Sequence, residues 1–317
     1  MKQKFVYVWF DADENPRSKV RYCEEATIWN YDGSSTGQAT TESSEVLLVP
    51  IKKYLSPPEH QTYVLCNIST DNAYTLISSP EVQERLKTIG LRMAFEQEFT
   101  IFDAKTAKPY KYDEWATASQ GQFYCSVGAT GNGFIERYVE EAFDYAVQIG
   151  VNVTGYNLEV APAQGEIQVD SDAINAAHDL MILRFILWKI LAKYDLYPVY
   201  HPKPYGSQWN GSGLHTNVST HDTMGSNGIN VMYDMLKRIE AEHAKWMPYL
   251  GKGNEERLTG IHETSALNRF TVGVASRATS VRIPTTTVSN GYGYFEDRRP
   301  AANANPYMIV YLYTFVV

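Results

Sequence analysis

Two glutamates stand two residues apart in the run A-F-E-Q-E-F-T, and that spacing constrains the fold more than any other feature of the chain. Side chains alternate across a strand, so Glu96 and Glu98 point the same way. Ala94, Phe95, Phe99 and Ile101 around them predict a half-buried strand, and buried carboxylates need partners. A second pair, Glu159 and Glu166, flanks Pro162-Ala163 in N-L-E-V-A-P-A-Q-G-E-I-Q-V. A hairpin with a two-residue loop there would set Glu159 directly opposite Glu166, with Cβ atoms ~5 Å apart. Like charges that close repel unless a cation lies between them. Hard divalent ions such as Mg²⁺ or Mn²⁺, which prefer oxygen donors, suit the arrangement.

His215 in N-G-S-G-L-H-T-N, Glu263 in H-E-T-S and Glu296 in Y-F-E-D-R-R-P extend the set. His215 follows Asn210, Gly211, Ser212 and Gly213, small residues that let backbone approach a ligand closely. Alone, each signal has a plain alternative: exposed strands often carry an i, i+2 acidic pair, and a lone histidine is usually a hydrogen-bonded core residue. Their convergence carries the metal reading. Arg257, Arg277, Arg282, Arg298 and Arg299 are interleaved with Glu263 and Glu296. Guanidinium groups grip phosphate and carboxylate through paired hydrogen bonds, and Glu296 and Arg298 share a strand face. A surface ion-pair network explains scattered arginines but fits poorly with R-A-T-S-V-R-I-P and E-D-R-R-P among apolar and small residues. Arg277 and Arg282, five apart, would face opposite ways on a regular strand, so a turn or bulge must intervene for both to reach one ligand.

Metals plus arginines are the equipment of phosphoryl transfer. The G-A-T-G-N-G run at 128–133 lacks the following G-K-[ST] of a phosphate loop and reads as a plain loop. His262-Glu263 has Ala266 where a zinc-protease helix needs its second histidine.

The chain has 317 residues, 44% hydrophobic and 20% charged, with a net charge of −8. Length predicts two domains; the acidic balance without a Lys/Arg run argues against nucleic acid. Cys23, Cys66 and Cys125 make no disulfide framework, which fits a cytoplasmic location. The apolar run from Tyr307 to Val317 is too short to span a membrane. Strand-like runs F-V-Y-V-W-F, T-I-W-N-Y, E-V-L-L-V-P and T-Y-V-L-C-N-I fill the first ~80 residues, with residues 69–80 as a linker. Helices are predicted from Phe134 to Ile149 closed by Gly150, from a Ser171 cap to about Tyr194, and over 227–247. The motifs fall between them, on a sheet with polar chemistry on one face and helices behind.

Taken together, W-N-Y-D-G-S-S-T-G-Q-A at 29–39, E-Q-E at 96–98, E-V-A-P-A-Q-G-E at 159–166, N-G-S-G-L-H-T-N at 210–217, R-L-T-G-I-H-E-T-S at 257–265 and G-Y-F-E-D-R-R-P at 293–300 resemble the glutamine synthetase family, in its type II, eukaryotic-type branch. The resemblance implies an α+β fold: a small N-terminal β-grasp domain (1–80) contributing to a neighbouring subunit's site, and a larger catalytic domain (81–317) with a curved antiparallel sheet backed by helices. It implies a homo-oligomer, a decamer of two stacked pentameric rings, with L-glutamate, ammonium and ATP as substrates and two or three Mg²⁺ or Mn²⁺ ions per site. Glu98, Glu159 and Glu166 match the ligands of one metal; Glu96, His215 and Glu296 match those of the second. Arg257 and Arg298 match glutamate- and phosphate-contacting arginines, with Asn210 and Gly211 also at the substrate. Arg277 and Arg282 match arginines on the transferring phosphate. Glu263 corresponds to the flap glutamate, and Asp32 to the group that takes a proton from ammonium. Arg92 stands where this branch usually has an adenine-stacking Trp, leaving Tyr294 or the Arg92 plane for that task. A γ-glutamyl-amine ligase and a non-catalytic ring-forming homologue are the alternatives on the same fold.

Overall fold

The computed structural model describes residues 1–69, 72–114 and 121–317. Its first part is a five-stranded sheet in the order β2-β1-β5-β4-β3. The strands are β1 (Gln3–Phe10), β2 (Pro16–Cys23), β3 (Trp29–Asp32), β4 (Glu45–Ser56) and β5 (Gln61–Ile68). The central pair β1–β5 is parallel and the other pairings are antiparallel. No apolar run announces β2: it is an edge strand, P-R-S-K-V-R-Y-C, with no buried position, so polar residues are tolerated along its length.

Both faces of this sheet are buried. Phe5, Tyr7, Trp9, Tyr31, Val46 and Leu48 form a cluster on one side. Val6, Val8, Tyr54, Tyr63 and Leu65 join the main core on the other. The stretch expected as a linker, 69–80, contains helix α1 (Asn72–Ile77) instead, while residues 70 and 71 lie outside the described residues. Ala73 and Ile77, one turn apart, are buried, and this apolar stripe makes the segment helical rather than free.

After α2 (Pro80–Ile89) the chain builds a nine-stranded sheet, β12-β13-β14-β11-β6-β9-β8, with two further strands paired to β6. Its members are β6 (Arg92–Asp103), β7 (Lys108–Pro109), β8 (Val153–Leu158), β9 (Gln164–Asp172), β10 (Leu196–Val199), β11 (Leu214–Ser219), β12 (Val272–Val274), β13 (Val281–Ile283) and β14 (Phe295–Asp297). The expected antiparallel character holds except between β12 and β13, which run parallel. The sheet is backed by α3 (Glu136–Gln148), α4 (Ala173–Leu191) and α7 (Pro306–Thr314), while α5 (Gly228–Trp246) and α6 (Thr285–Asn290) complete the unit. Gly150 closes the α3 turn at φ 84°, the left-handed conformation that suits glycine.

Helix α4 is buried around most of its circumference, as its Leu, Ile, Phe and Trp content predicts. Its cap is Asp172 rather than Ser171: both are paired in β9, with Arg92 and Met93, and it is the Asp172 carboxylate that accepts from the Asn175 amide. Leu180, Leu183, Ile186 and Leu187 pack with Phe95, Phe99, Ile167 and Val169 behind the sheet. The same helix receives the N-terminal sheet. Asp179 accepts from Lys52 Nζ and Tyr54 Oη, each at 2.6 Å, and from Asn152 Nδ2 at 2.6 Å.

Candidate active site

Strand alternation places the chemistry. In β6 the residues Met93, Phe95, Phe99 and Ile101 are wholly buried, and the even-numbered Arg92, Glu96 and Glu98 lie on the opposite face. Register carries the face sideways: Glu98 pairs with Glu166, Glu96 with Gln168 and His215, and Asn217 with Glu296, itself opposite Arg282.

Two trios of metal-ligating side chains result, Glu96–His215–Glu296 and Glu98–Glu159–Glu166, the donor atoms of each lying within 4.8 Å of one another. His215 Nδ1 is 3.5 Å from Glu96 and from Glu296, and 3.8 Å from Glu98, so the trios adjoin. Glu159 arrives differently from the two-residue hairpin expected. Asn157, not Glu159, pairs with Glu166, and the Glu159 amide bonds the Gln164 carbonyl at 2.8 Å. Four residues, Val160–Ala163, form the loop, and Ala163 takes a left-handed φ of 53°. Pairing on the first strand therefore ends two residues earlier, and Glu159 reaches the trio from the loop mouth.

Burial and mutual repulsion shape the carboxylates. Glu98 is pushed up to about 8, first by burial and then by Glu159. Glu166 is raised well above the ordinary range by burial, Glu96, Glu159 and Glu98. Burial also raises Glu96 and Glu159 and holds His215 well below its ordinary value. Neutral donors hold the carboxylates in place: Gly213 N to Glu98 (2.8 Å), Gln164 Nε2 to Glu98 (3.1 Å), Asn157 Nδ2 to Glu159 (2.8 Å), Gln168 Nε2 to Glu166 (2.7 Å) and Asn217 Nδ2 to Glu96 (2.7 Å). Sequence reasoning missed these amides; Asn157 and Gln168, each two residues from the glutamate it holds, carried a local signal, whereas Gln164 and Asn217 reach Glu98 and Glu96 from distant segments. An all-oxygen trio beside an oxygen-and-imidazole trio is a donor set that suits a hard divalent cation, and charge relief is what such an ion would supply.

The arginines surround the trios. The Glu296 carboxylate meets Arg298 Nη1 at 2.6 Å and Arg282 Nη1 at 3.1 Å. Arg257 Nη2 contacts His215 Nε2 at 3.0 Å. Arg277 lies in the turn between β12 and β13 and lines the cavity with Glu98, Glu159 and Arg298, while Arg282, on β13, does not line it and reaches the trios through Glu296. Arg299 does not join them: alternation turns it inward, where Nε and Nη2 bind the Asp297 carboxylate at 2.9 and 2.8 Å. Lys203, which the motifs did not single out, is buried near Arg257, and burial and that neighbour lower its pKa.

Glu263 closes the cavity. Its carboxylate lies 3.4 Å from Arg277 and accepts from Asn210 Nδ2 at 3.3 Å. His262 and Glu263 both have left-handed φ, 53° and 63°, a strained pairing for non-glycine residues. Gly213 is obligatory by space, because a Cβ there would come within 2.6 Å of Arg257 Nη2 and 2.8 Å of His215 Nε2. Gly211 likewise would bring a Cβ within 2.9 Å of Arg257 Cγ. Three buried polar atoms facing this region, Arg282 Nε, Arg298 Nε and Asn210 Oδ1, have no hydrogen-bond partner among the described residues. Tyr294 is half-exposed at the rim, close enough to Glu96 and Glu296 to feel their charge. Arg92, farther along the same strand face, pairs with Asp170 at 2.8 Å. Asp32 is separate: exposed, it accepts from Ser34 and Ser35, which lower its pKa, and no trio residue is among its hydrogen-bond partners.

Comparison with known proteins agrees in sequence and in shape. The family model for the glutamine synthetase catalytic domain matches residues 81–247. A relative from Acanthamoeba polyphaga mimivirus is 41% identical over 96% of this chain and 90% of its own. The glutamine synthetase of Neurospora crassa is 38% identical over 96% of this chain and 88% of its own, and that of Schizosaccharomyces pombe 36% over 97% and 90%. The fold matches a Plasmodium falciparum glutamine synthetase structure with a TM-score of 0.76, covering 99% of this chain and 71% of that one at 17% identity. The chain belongs to the glutamine synthetase family.

Proposed function

We infer that the protein is a glutamate–ammonia ligase, joining ammonia to the γ-carboxylate of L-glutamate with ATP and releasing glutamine, ADP and phosphate. A carboxylate is a poor acylating agent, so its oxygen first attacks the ATP γ-phosphorus and ADP leaves. Ammonia then attacks the γ-carbonyl of γ-glutamyl phosphate, and phosphate departs with the bonding pair. The observation that carries this reading is the pair of adjoining trios on one sheet face beside arginines with unpartnered nitrogens.

We assign Glu98, Glu159 and Glu166 to the ion nearer the amino acid, and Glu96, His215 and Glu296 to the ion beside the phosphates. Mg²⁺ or Mn²⁺ bound there would neutralise charge on the phosphate oxygens. Arg257 and Arg298, with Asn210 and Gly211, orient glutamate, and the tightness around both glycines supports close backbone approach. Arg277 and Arg282 stabilise negative charge on the transferring phosphate. Glu263 shields the acyl phosphate from water, a role that fits its position over the cavity. Tyr294 at the rim, or the Arg92 plane, takes the adenine.

Residues 1–80 form a unit that lends Asp32 to a neighbouring copy, where it accepts the ammonium proton. The exposure of Asp32, whose hydrogen-bond partners Ser34 and Ser35 include no trio residue, supports that arrangement. The assembly we propose is a decamer of two stacked pentamers in the cytoplasm. No helix among the described residues is long and apolar enough to cross a membrane.

The test is glutamine formation with ATP, glutamate, ammonium and Mn²⁺ or Mg²⁺, alongside a native mass measurement. Absence of ammonium-dependent glutamine under both metals refutes the assignment, and faster ADP release with methylamine or polyamines transfers it to the amine ligases.

A further inference from the structure

Arg184, on helix α4, is fully enclosed behind the sheet, and none of its hydrogen-bond acceptors among the described residues is a carboxylate, although the Glu14 carboxylate is near enough for its charge to favour the guanidinium. Its Nε donates to Gln97 Oε1 at 2.8 Å, and its Nη2 to the carbonyls of Ala302 and Ala304 at 2.8 and 2.9 Å. The Tyr200 ring lies 5.3 Å from its Cζ. A guanidinium stays protonated, although burial lowers its pKa. Enclosing a charge whose acceptors are all neutral is costly, and well-packed apolar side chains commonly serve a purely structural position at least as well. A fork aimed at three separate oxygens does what they cannot: it fixes the relative placement of the segments that own them.

Those segments converge on both trios. Gln97 sits between Glu96 and Glu98 with its side chain on the opposite face, and its own Nε2 donates to the Glu98 carbonyl at 2.8 Å and the Ala302 carbonyl at 3.0 Å. Ala302 follows β14, which carries Glu296, and its amide donates to Ser212 O at 3.0 Å. The adjoining Gly213 donates to the Glu98 carboxylate and leads into His215. At this end of the sheet the β6–β11 ladder stops at Gln97–Leu214 and the β11–β14 ladder at Thr216–Asp297. Beyond that edge the backbone is joined only by separate bonds, Glu98 N to Gly213 O at 3.2 Å and Leu214 N to Pro300 O at 2.9 Å, with a single bridge between Gly213 and Ala301.

We propose that Arg184 is a positioning residue for both metal trios, holding Gln97 and the 302–304 carbonyls so that Glu96, Glu98, His215 and Glu296 keep ligand geometry. This rests on the reading of the trios as divalent-metal sites.

The experiment titrates Mn²⁺ into the whole oligomer without nucleotide, followed by calorimetry and by the loss of the free Mn²⁺ resonance. R184K keeps the charge but loses the fork; Gln97→Met removes the contact to β6 and leaves Arg184 in place; R184M removes both charge and fork. Each variant is first shown folded by circular dichroism and native mass, and should R184M fail to fold the other two carry the test. Mn²⁺ affinity is expected to fall about tenfold or more in folded R184K and Gln97→Met, the range typical of supports that orient ligands. A merely structural role would lower the melting temperature and leave the folded protein's affinity alone. Unchanged affinity in either folded variant overturns the assignment. Failure of the unmodified protein to bind Mn²⁺ overturns the metal reading itself, and this assignment with it.

Discussion

At the level of single residues, Glu98 and Glu166 pull the protein in two directions. Each is buried against other carboxylates, so ionising them in the metal-free chain costs stability, while ionisation is what a cation requires. Glu166→Gln is therefore expected to raise the metal-free unfolding free energy at pH 8, on the order of 1–3 kcal/mol. It should also abolish glutamine formation and shrink the gain in melting temperature that Mn²⁺ gives. Thermal melts with and without metal, beside the activity assay, check both signs; a mutant less stable than its parent when metal-free contradicts the repulsion account. The pH dependence follows from the same groups. Glu98 titrates near 8 folded against an ordinary 4.5, so the unfolded chain binds fewer protons between those values and stability falls as pH rises. His215, depressed below 6.5, acts oppositely: the unfolded imidazole takes a proton that the folded one refuses, so stability rises with pH up to about 6.5 and is flat above. The net decline is thus cleanest between pH 6.5 and 8. Urea midpoints across that range in chelator should drop, and saturating Mn²⁺ should reverse the trend.

At the level of elements, periodicity located the site strand while local chemistry set details it could not reach. Glu96 and Glu98 follow from a strand's two-residue repeat, and Arg298 from the same rule carried one residue past the end of β14. That rule also turns Arg299 inward, which a simple count of arginines overlooks. The Glu159 register escaped because hairpin loop length depends on which residue takes a left-handed turn, here Ala163, a residue with no marked preference for it. Helix α4 was legible from its apolar content, but its start was not: Ser171 and Asp172 are both good caps and both are paired in β9, and it is the Asp172 carboxylate that accepts from the Asn175 amide. Asp172→Ala should cost about 1 kcal/mol, and Leu183→Ala, in the sheet-facing core, about 2–5 kcal/mol; equilibrium unfolding measures both. The 262–263 turn gives a functional prediction. With Glu263→Ala the acyl phosphate should leak to water, so ADP release exceeds glutamine formation. Strict one-to-one stoichiometry in that mutant would show that shielding comes from elsewhere.

For the whole molecule, the position of Asp32 sets the prediction. If the N-terminal unit completes a neighbour's site, Asp32→Asn and Glu98→Gln chains are each inactive alone but regain a fraction of parental activity when co-assembled, because some sites then combine an intact Asp32 with an intact Glu98. Co-expression with two affinity tags reads this directly, and mixed assemblies that stay inactive would return Asp32 to a role within its own chain. The joint between the two sheets was not readable from the sequence: Asp179 gathers Lys52 and Tyr54 from the first sheet onto the helix that backs the second. That seam has a practical corollary for anyone cutting the gene. A polypeptide begun at residue 81 would emerge with Asp179 stripped of two of its donors and a flank of greasy helix open to water, and it should sediment as aggregate rather than behave as a smaller enzyme.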